Sequence, residues 1–236
     1  MKILKIISFM FISTLSLSAF AGPLCLWESF ADVFTRSDYV TNSMLRAVKD
    51  DFNPNVARLL NCGADPNARY DSDNTATHSA VRRGLNDVIH TLVTHSDNDL
   101  NLQNQNGNTV LHFAVYFKQD SAVDHILSNE AVDLNIVNDS GNTPLNLAIK
   151  TGNDSAAYKL LSAGADPNIR DQEDNSPLFL ATYFQNEDVV AGLLDHGAEL
   201  RVRNKSGWTA FEYAFYNKYT GITDQIRAYM PADSGW

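Results

Sequence analysis

Thr143-Pro144-Leu145-Asn146-Leu147-Ala148 has a close counterpart on either side: Thr109-Val110-Leu111-His112-Phe113-Ala114 before it and Ser176-Pro177-Leu178-Phe179-Leu180-Ala181 after it. Looser copies stand at Thr75-Ala76-Thr77-His78-Ser79-Ala80 and Thr209-Ala210-Phe211-Glu212-Tyr213-Ala214. The leading hydroxyl residues Thr75, Thr109, Thr143, Ser176 and Thr209 are 34, 34, 33 and 33 residues apart. A second landmark keeps the same step: Asp65-Pro66-Asn67, Asp99-Leu100-Asn101, Asp133-Leu134-Asn135 and Asp166-Pro167-Asn168, with Glu199-Leu200-Arg201 as a degenerate fifth copy. Self-similarity at a period of this length marks a repeat architecture, in which each unit is one supersecondary element stacked on the next. Such an elongated array replaces the one or two compact domains that 236 residues would otherwise suggest.

These six-residue copies match the T-P-L-H-x-A pattern of the ankyrin repeat family. Leu59-Leu60-Asn61-Cys62-Gly63-Ala64-Asp65, Leu160-Leu161-Ser162-Ala163-Gly164-Ala165-Asp166 and Leu193-Leu194-Asp195-His196-Gly197-Ala198-Glu199 match its L-L-x-x-G-A-D helix end. The chain resembles that family from roughly Thr41 to Met230. The resemblance implies an all-α solenoid of about six helix-turn-helix units with β-turn or hairpin tips and capping units at both ends. The units run at about 41–70, 71–104, 105–138, 139–170, 171–203 and 204–230, with residues 22–40 packing on the first and 231–236 as a tail. The chemistry agrees. A hydroxyl can cap orphan N–H groups, Pro144 and Pro177 fall at the first helical position, and Gly63, Gly164 and Gly197 follow the second helix, where a left-handed residue closes it. Two copies, ending near Ser96-Asp97-Asn98 and Asn129-Glu130-Ala131, lack that glycine and are one residue longer, which predicts wider, less regular loops.

The N-terminus sets the expected compartment. Met1-Lys2-Ile3-Leu4-Lys5 is a short basic start, Ile6 to Leu17 an apolar run, and Ala19-Phe20-Ala21 an A-x-A site, so a secretory signal peptide of residues 1–21 is expected. The run is diluted by serines and falls short of the roughly 20 apolar residues of a bilayer span. Cys25 follows Pro23 and Leu24, which disfavours a lipid anchor. Cleavage removes Lys2 and Lys5, leaving 16 of the 18 basic residues against 28 acidic ones, a formal charge of −12. That balance argues against nucleic acid and against an anionic membrane surface, since both are bound through Lys and Arg. Cys25 and Cys62, the only cysteines, are expected to form one disulfide in an oxidising compartment; two free thiols are the alternative. A loop of 37 residues would add about 3–4 kcal/mol in the chain-entropy account.

No catalytic pattern emerges. His78 and His112 occupy the fourth place of T-P-L-H, where the resemblance implies a turn-tying role. His90, His95, His125 and His196 lack the i, i+4 pairing of a metal-binding helix face. Asp71-Ser72-Asp73 and Asp171-Gln172-Glu173-Asp174 read as solvated tips, and the sequence carries no G-x-S-x-G, P-loop or EF-hand spacing. No cofactor, metal or enzymatic activity is expected.

The resemblance implies that ligands are gripped by the tips and the exposed positions of the first helix, which line a concave face. Seven and eight residues after each landmark hydroxyl stand Arg82 and Arg83, Tyr116 and Phe117, Lys150 and Thr151, Tyr183 and Phe184, then Tyr216 and Asn217; Lys49 and Asp50 correspond in the first unit. A stacking core does not need aromatic residues there, yet five appear, and Trp208 adds a sixth on the neighbouring turn. Tyr, Trp and Arg are the types enriched in binding hot spots. Phe117 and Phe184 have a second reading, in which they turn inward to fill gaps left by absent glycines at Lys118 and Gln185. Arg82 and Arg83 would receive a carboxylate of the partner. The function expected is a protein-binding scaffold, monomeric alone, periplasmic or secreted, acting as an inhibitor, immunity or accessory protein. A secreted effector that binds host proteins and an enzyme with an unrecognised site stay open beside it.

Overall fold

The computed structural model describes residues 36–230. The leader, Cys25, most of the segment 22–40 and the tail 231–236 lie outside these residues. Six helical hairpins follow one another: α1 (Arg36–Lys49) and α2 (Asn53–Asn61), α3 (Ala76–Arg83) and α4 (Asn86–Val93), α5 (Val110–Tyr116) and α6 (Asp120–Leu127), α7 (Pro144–Thr151) and α8 (Asp154–Ser162), α9 (Pro177–Tyr183) and α10 (Glu187–Asp195), α11 (Ala210–Tyr216) and α12 (Thr220–Ala228). First helices pack in one row and second helices in another, each against its own hairpin partner and against the same helix of the adjoining units. Among the described residues there is no strand; the tips are turns, the first of them a 3-10 turn at Asp71–Asp73.

Helix starts are set by the landmark hydroxyls. The Oγ atoms of Thr109, Thr143, Ser176 and Thr209 accept the backbone N–H three residues on, satisfying one of the orphan donors of each helix start. The core is a set of inter-unit seams. Thr77, Leu111, Leu145 and Leu178, two residues past the hydroxyl, and Val81, Val115, Ile149 and Thr182, six past it, are all at most 2 % exposed. Between them the alanines Ala80, Ala114, Ala148 and Ala181 are fully buried and let the helices approach closely. The second helices add Val88, Ile126, Leu160, Leu193 and their neighbours to the same continuous core. Leu160 is fully buried, so truncating it to alanine removes about 2–5 kcal/mol.

Two polar ladders run along the stack beside this core. In each D-x-N landmark the aspartate accepts the asparagine's own N–H at 2.8–2.9 Å, and the asparagine side chain accepts the N–H of the next unit's landmark, Asn67 from Asp99, Asn101 from Asp133, Asn135 from Asp166 and Asn168 from Glu199, again at 2.8–2.9 Å. Arg201 holds this place in the degenerate fifth copy. The two loops expected to be irregular are ordered in a different way. Asn98 is buried and donates to Leu92 O at 2.8 Å and Thr77 Oγ1 at 3.1 Å, while Asn129 donates to Val93 O at 3.2 Å. An asparagine side chain there occupies carbonyls that the glycine turn meets with its own backbone.

Glycines that close the first helix are also replaceable here. Gly84 and Gly152 have φ of 69° and 61°, and Lys118, Gln185 and Lys218 hold the same left-handed backbone at 52°, 57° and 63°. Each such side chain costs about 1 kcal/mol or more relative to glycine, offset by the packed units around it. Gly107 has less freedom, because a Cβ there would sit 2.7 Å from the Asp139 backbone nitrogen of the neighbouring tip.

His78 and His112 are fully buried and tie units together. The amide of the capping threonine donates to Nδ1, at 3.3 Å from Thr75 and 3.2 Å from Thr109, which leaves Nε2–H to donate to Asn108 O at 3.1 Å and to Asn142 O at 2.9 Å in the next unit. Burial pushes His78 down to about 4 and outweighs the bond to Asn108, with the charges of Arg69 and His112 adding to the drop; burial likewise lowers His112 against the bond to Asn142. Between about pH 6.5 and about 4 the unfolded chain binds a proton at His78 that the folded state excludes. Stability is therefore complete above that window and falls as the pH drops through it, by up to about 1.4 kcal/mol per pH unit for each such histidine. Thermal melts at pH 7, 5.5 and 4.5 are expected to show a falling midpoint, and His78→Gln, which keeps a donor toward Asn108, is expected to flatten that decline.

Candidate functional site

The face shared by the first-helix row and the tips carries the aromatic residues. Tyr116, Tyr183 and Tyr216 are 60 %, 52 % and 72 % exposed, and Phe117 and Phe184 are 38 % and 47 % exposed. The inward reading of the two phenylalanines is therefore corrected. Each ends its helix as the C-cap residue and lies edge-on against its tyrosine neighbour, at 5.2 Å for Tyr116 and Phe117 and 5.3 Å for Tyr183 and Phe184. Trp208 is half-buried on the fifth tip, 5.4 Å from Tyr216 and 6.2 Å from Tyr213.

Three residues of this face escaped the count of seven and eight. Phe113 and Tyr213 stand four after the hydroxyl and Phe179 three after it, one helical turn earlier on the same side. Phe113 contacts Phe117 at 5.7 Å, Phe179 contacts Tyr213 at 5.2 Å, and Tyr213 contacts Tyr183 at 5.8 Å. The i, i+3 and i+4 relation to the named positions is the sequence signal that finds them. The outcome is two clusters, a smaller one on α5 and a larger one across α9, α11 and the fifth tip. The larger walls a groove of about 590 Å³ that reaches Lys150 and Asp171; the smaller borders one of about 330 Å³ beside Leu147.

The basic residues divide. Arg82 is exposed beside the strip. Arg83 instead turns back to the first unit, donating to Val48 O at 2.8 Å and to Lys49 O, carbonyls at the end of α1. It is a helix-end clasp, and the expected pair of carboxylate receptors reduces to Arg82. Lys150 is corrected in the same way. Along the tips, Asn104 donates to Asn74 Oδ1 at 3.0 Å, Asn138 to Asn108 Oδ1 at 2.8 Å and Asn204 to Asn175 Oδ1 at 2.9 Å. At the one remaining step the donor place holds Asp171, which has no proton to give. Lys150 Nζ fills the break, donating to Asn142 Oδ1 at 2.6 Å and to Asp171 Oδ2 at 2.8 Å. Burial pushes the Asp171 carboxyl up, but the bonds from Lys150 and Asn175 outweigh it and hold the group below its usual value. Lys150 thus completes a ladder instead of offering a free ammonium.

The open end of the stack adds a second apolar surface. Phe211 and Phe215 take the two seam positions that are buried in the preceding units, and in this last described unit Phe215 is 64 % exposed. The outer helix is capped in the polar sense: Thr223 and Arg227 stand where Ile89 and Val93 stand in α4, and the Arg227 guanidinium lies 5.8 Å over Phe211. The last unit is a cap on one helix and an aromatic face on the other. A cavity of about 1030 Å³ opens there, bordered by Arg203 and Glu212, whose side chains pair at 2.6 Å.

Chemistry has little to work with. Among the described residues no group of three or more His, Cys, Asp or Glu could hold a metal ion. Packing of α4 on α6 brings His90 and His125 to 5.1 Å, a contact that i, i+4 counting along one helix misses, but two rings are not a ligand set. No described helix is long and apolar enough to cross a membrane.

Stacked helical hairpins with an aromatic face and a row of tips define a repeat scaffold whose business is binding. The family profile described as Ankyrin repeats (3 copies) matches residues 44–138, 96–171 and 145–226, and the chain belongs to that family. Solved structures share the fold. The ankyrin repeat protein EF0377 superposes with a TM-score of 0.72 at 23 % identity, covering 80 % of this chain and 98 % of that one. An ankyrin repeat domain from Acinetobacter baumannii gives 0.72 at 22 % identity over 79 % and 96 %, and the ankyrin repeat domain of Bcl-3, a member of the IkappaB protein family, 0.72 at 23 % over 87 % and 97 %. A sequence comparison with curated proteins finds no match. The chain is a protein–protein interaction scaffold, in a family whose members are typically non-enzymatic.

Removing Lys150 tests the ladder. Lys150→Ala leaves Asp171 buried without its cation and is expected to lower stability by about 2–3 kcal/mol, toward the low end for a buried pair because the lysine is partly exposed. Lys150→Ala with Asp171→Asn restores the amide donor of the other steps and is expected to recover most of that loss in chemical denaturation.

Proposed function

We propose that this chain is an exported, non-enzymatic binder that grips another protein on the concave face formed by its first helices and tips. It acts in the periplasm or outside the cell, as an inhibitor, immunity or accessory protein for an exported partner. The observation that carries the reading is the exposure of Tyr116, Tyr183, Tyr216, Phe117 and Phe184 on one face of a scaffold whose core does not need them. Two exposed aromatic clusters on one face are costly to leave in water and support a binding site there. Arg82 is an exposed cation beside it, and Phe211 and Phe215 extend it at the end of the described stack. Export is supported by the basic start, apolar run and Ala19-Phe20-Ala21 of the N-terminus.

Affinity capture from the source cells, with Tyr183→Ala and Trp208→Ala run beside the wild type, tests the face. Each truncation is expected to weaken capture by about 2 kcal/mol, roughly thirtyfold, with circular dichroism and melting nearly unchanged. Leu160→Ala instead is expected to damage the fold. Capture at full strength by both aromatic variants would overturn the assignment. Fractionation checks the compartment: the protein in the periplasm supports the accessory role, and the protein in the medium or in host cells moves the reading to a secreted effector. A Cys25–Cys62 disulfide belongs to the same proposal. Peptide mapping without reduction is expected to recover the linked pair, and alkylation of both thiols would exclude it.

A further inference from the structure

We propose that the groove across the last two units takes an arginine side chain presented by the protein partner. This rests on the reading that the first-helix face binds a protein, and it names the chemistry of one contact. Three rings face the groove from different directions. Tyr183 and Tyr213 lie 5.8 Å apart and inclined by 36°, while Trp208 stands at 85° to Tyr213 at 6.2 Å. Phe179 and Phe184 back the two tyrosines, at 5.2 Å and 5.3 Å.

The charges of the lining decide among guests. Lys150, Asp171 and Glu173 are the charged residues of the groove, and the first two neutralise each other through their 2.8 Å bridge. The net charge is therefore the carboxylate of Glu173, whose side chain is 71 % exposed at the rim. Lys205 approaches it only to 3.9 Å, a loose contact between two exposed groups that solvent screens. An anion meets a carboxylate and the negative faces of the rings. An apolar side chain uses the rings and leaves the carboxylate unengaged. A cation gains from both, since an aromatic face attracts positive charge within about 6 Å of its centre. Guanidinium suits the site better than ammonium because it is planar, stacks on rings, is weakly hydrated and presents a fork of donors to a carboxylate. The chain's formal charge of −10 favours the approach of a basic segment.

The test uses the full chain and an acetylated, amidated glycine–arginine–glycine tripeptide, with citrulline replacing arginine as the neutral isostere. The readout is the indole N–H resonance of Trp208, assigned by its loss in Trp208→Phe. The arginine peptide is expected to shift that resonance saturably in the millimolar range, about fivefold more tightly than the citrulline peptide. Tyr183→Ala should remove saturation, and Glu173→Gln should weaken the arginine peptide while leaving the citrulline peptide unchanged. Equal affinity of the two peptides would overturn the proposal and make the groove an apolar one. Absence of a saturable shift with either peptide, with the protein folded, would also overturn it. The peptide measurement does not depend on the partner. Peptide binding abolished by Tyr183→Ala with partner capture intact would keep the groove and sink the partner-face reading; the reverse pattern would do the opposite.

Discussion

Each unit of this chain is too small to bury its own apolar face, and everything else follows from that constraint. A helical hairpin presents one side to the unit before and another to the unit after, so its seam residues are dry only in the presence of neighbours. Leu111, Leu145 and Leu178 occupy one seam position in successive units and are sealed, whereas Phe211, at the same position in the last unit, is half-buried, and Phe215 beside it is largely in water. Burial here is a property of rank in the stack as well as of residue type. Cooperativity is accordingly between nearest neighbours, and a lesion such as loss of Leu160 is felt first by unit four and the units on either side of it.

The polar ladders do a different job from the apolar seam. Leucine against alanine tolerates small shifts, but an asparagine that must receive a particular backbone N–H in the next unit sets the register of one hairpin on another. The replacement of asparagine by Asp171 shows how strictly the ladder is kept. One missing proton is met by a lysine recruited from the helix behind it, with the side chains of Asn142 and Asp171 both in its reach. An exposed basic residue on the first-helix face can thus be occupied by architecture, as Arg83 is at the end of α1.

The aromatic surface is unevenly distributed. Its smaller cluster sits on α5, its larger one joins α9, α11 and the fifth tip, and the Lys150 unit separates them. Toward the C-terminal end the rings are continuous through Trp208 and Tyr216 with the open seam face of Phe211 and Phe215. Most of the exposed aromatic area, at Tyr183, Phe184, Phe215 and Tyr216, lies on the last two described units.

Much of the architecture was legible in the residues. Period, landmark hydroxyls and helix-closing leucines determined the number of units, the helix starts and which positions are core, because capping and apolar spacing are local and repeat with the chain. The exposed aromatic positions were legible too, since counting from a hydroxyl fixes a side chain's direction on a helix. What only tertiary structure decided were contacts made across the stack: that Asn98 and Asn129 order loops lacking a glycine, that His90 meets His125, that Tyr213 meets Phe179 and Tyr183 of the unit before it, and that Arg83 and Lys150 are spent on neighbours. The physical reason is one of distance along the chain. Most of those contacts link residues 21 to 36 positions apart, and no local rule of helix or turn says which side chain a stacked neighbour will bring within reach.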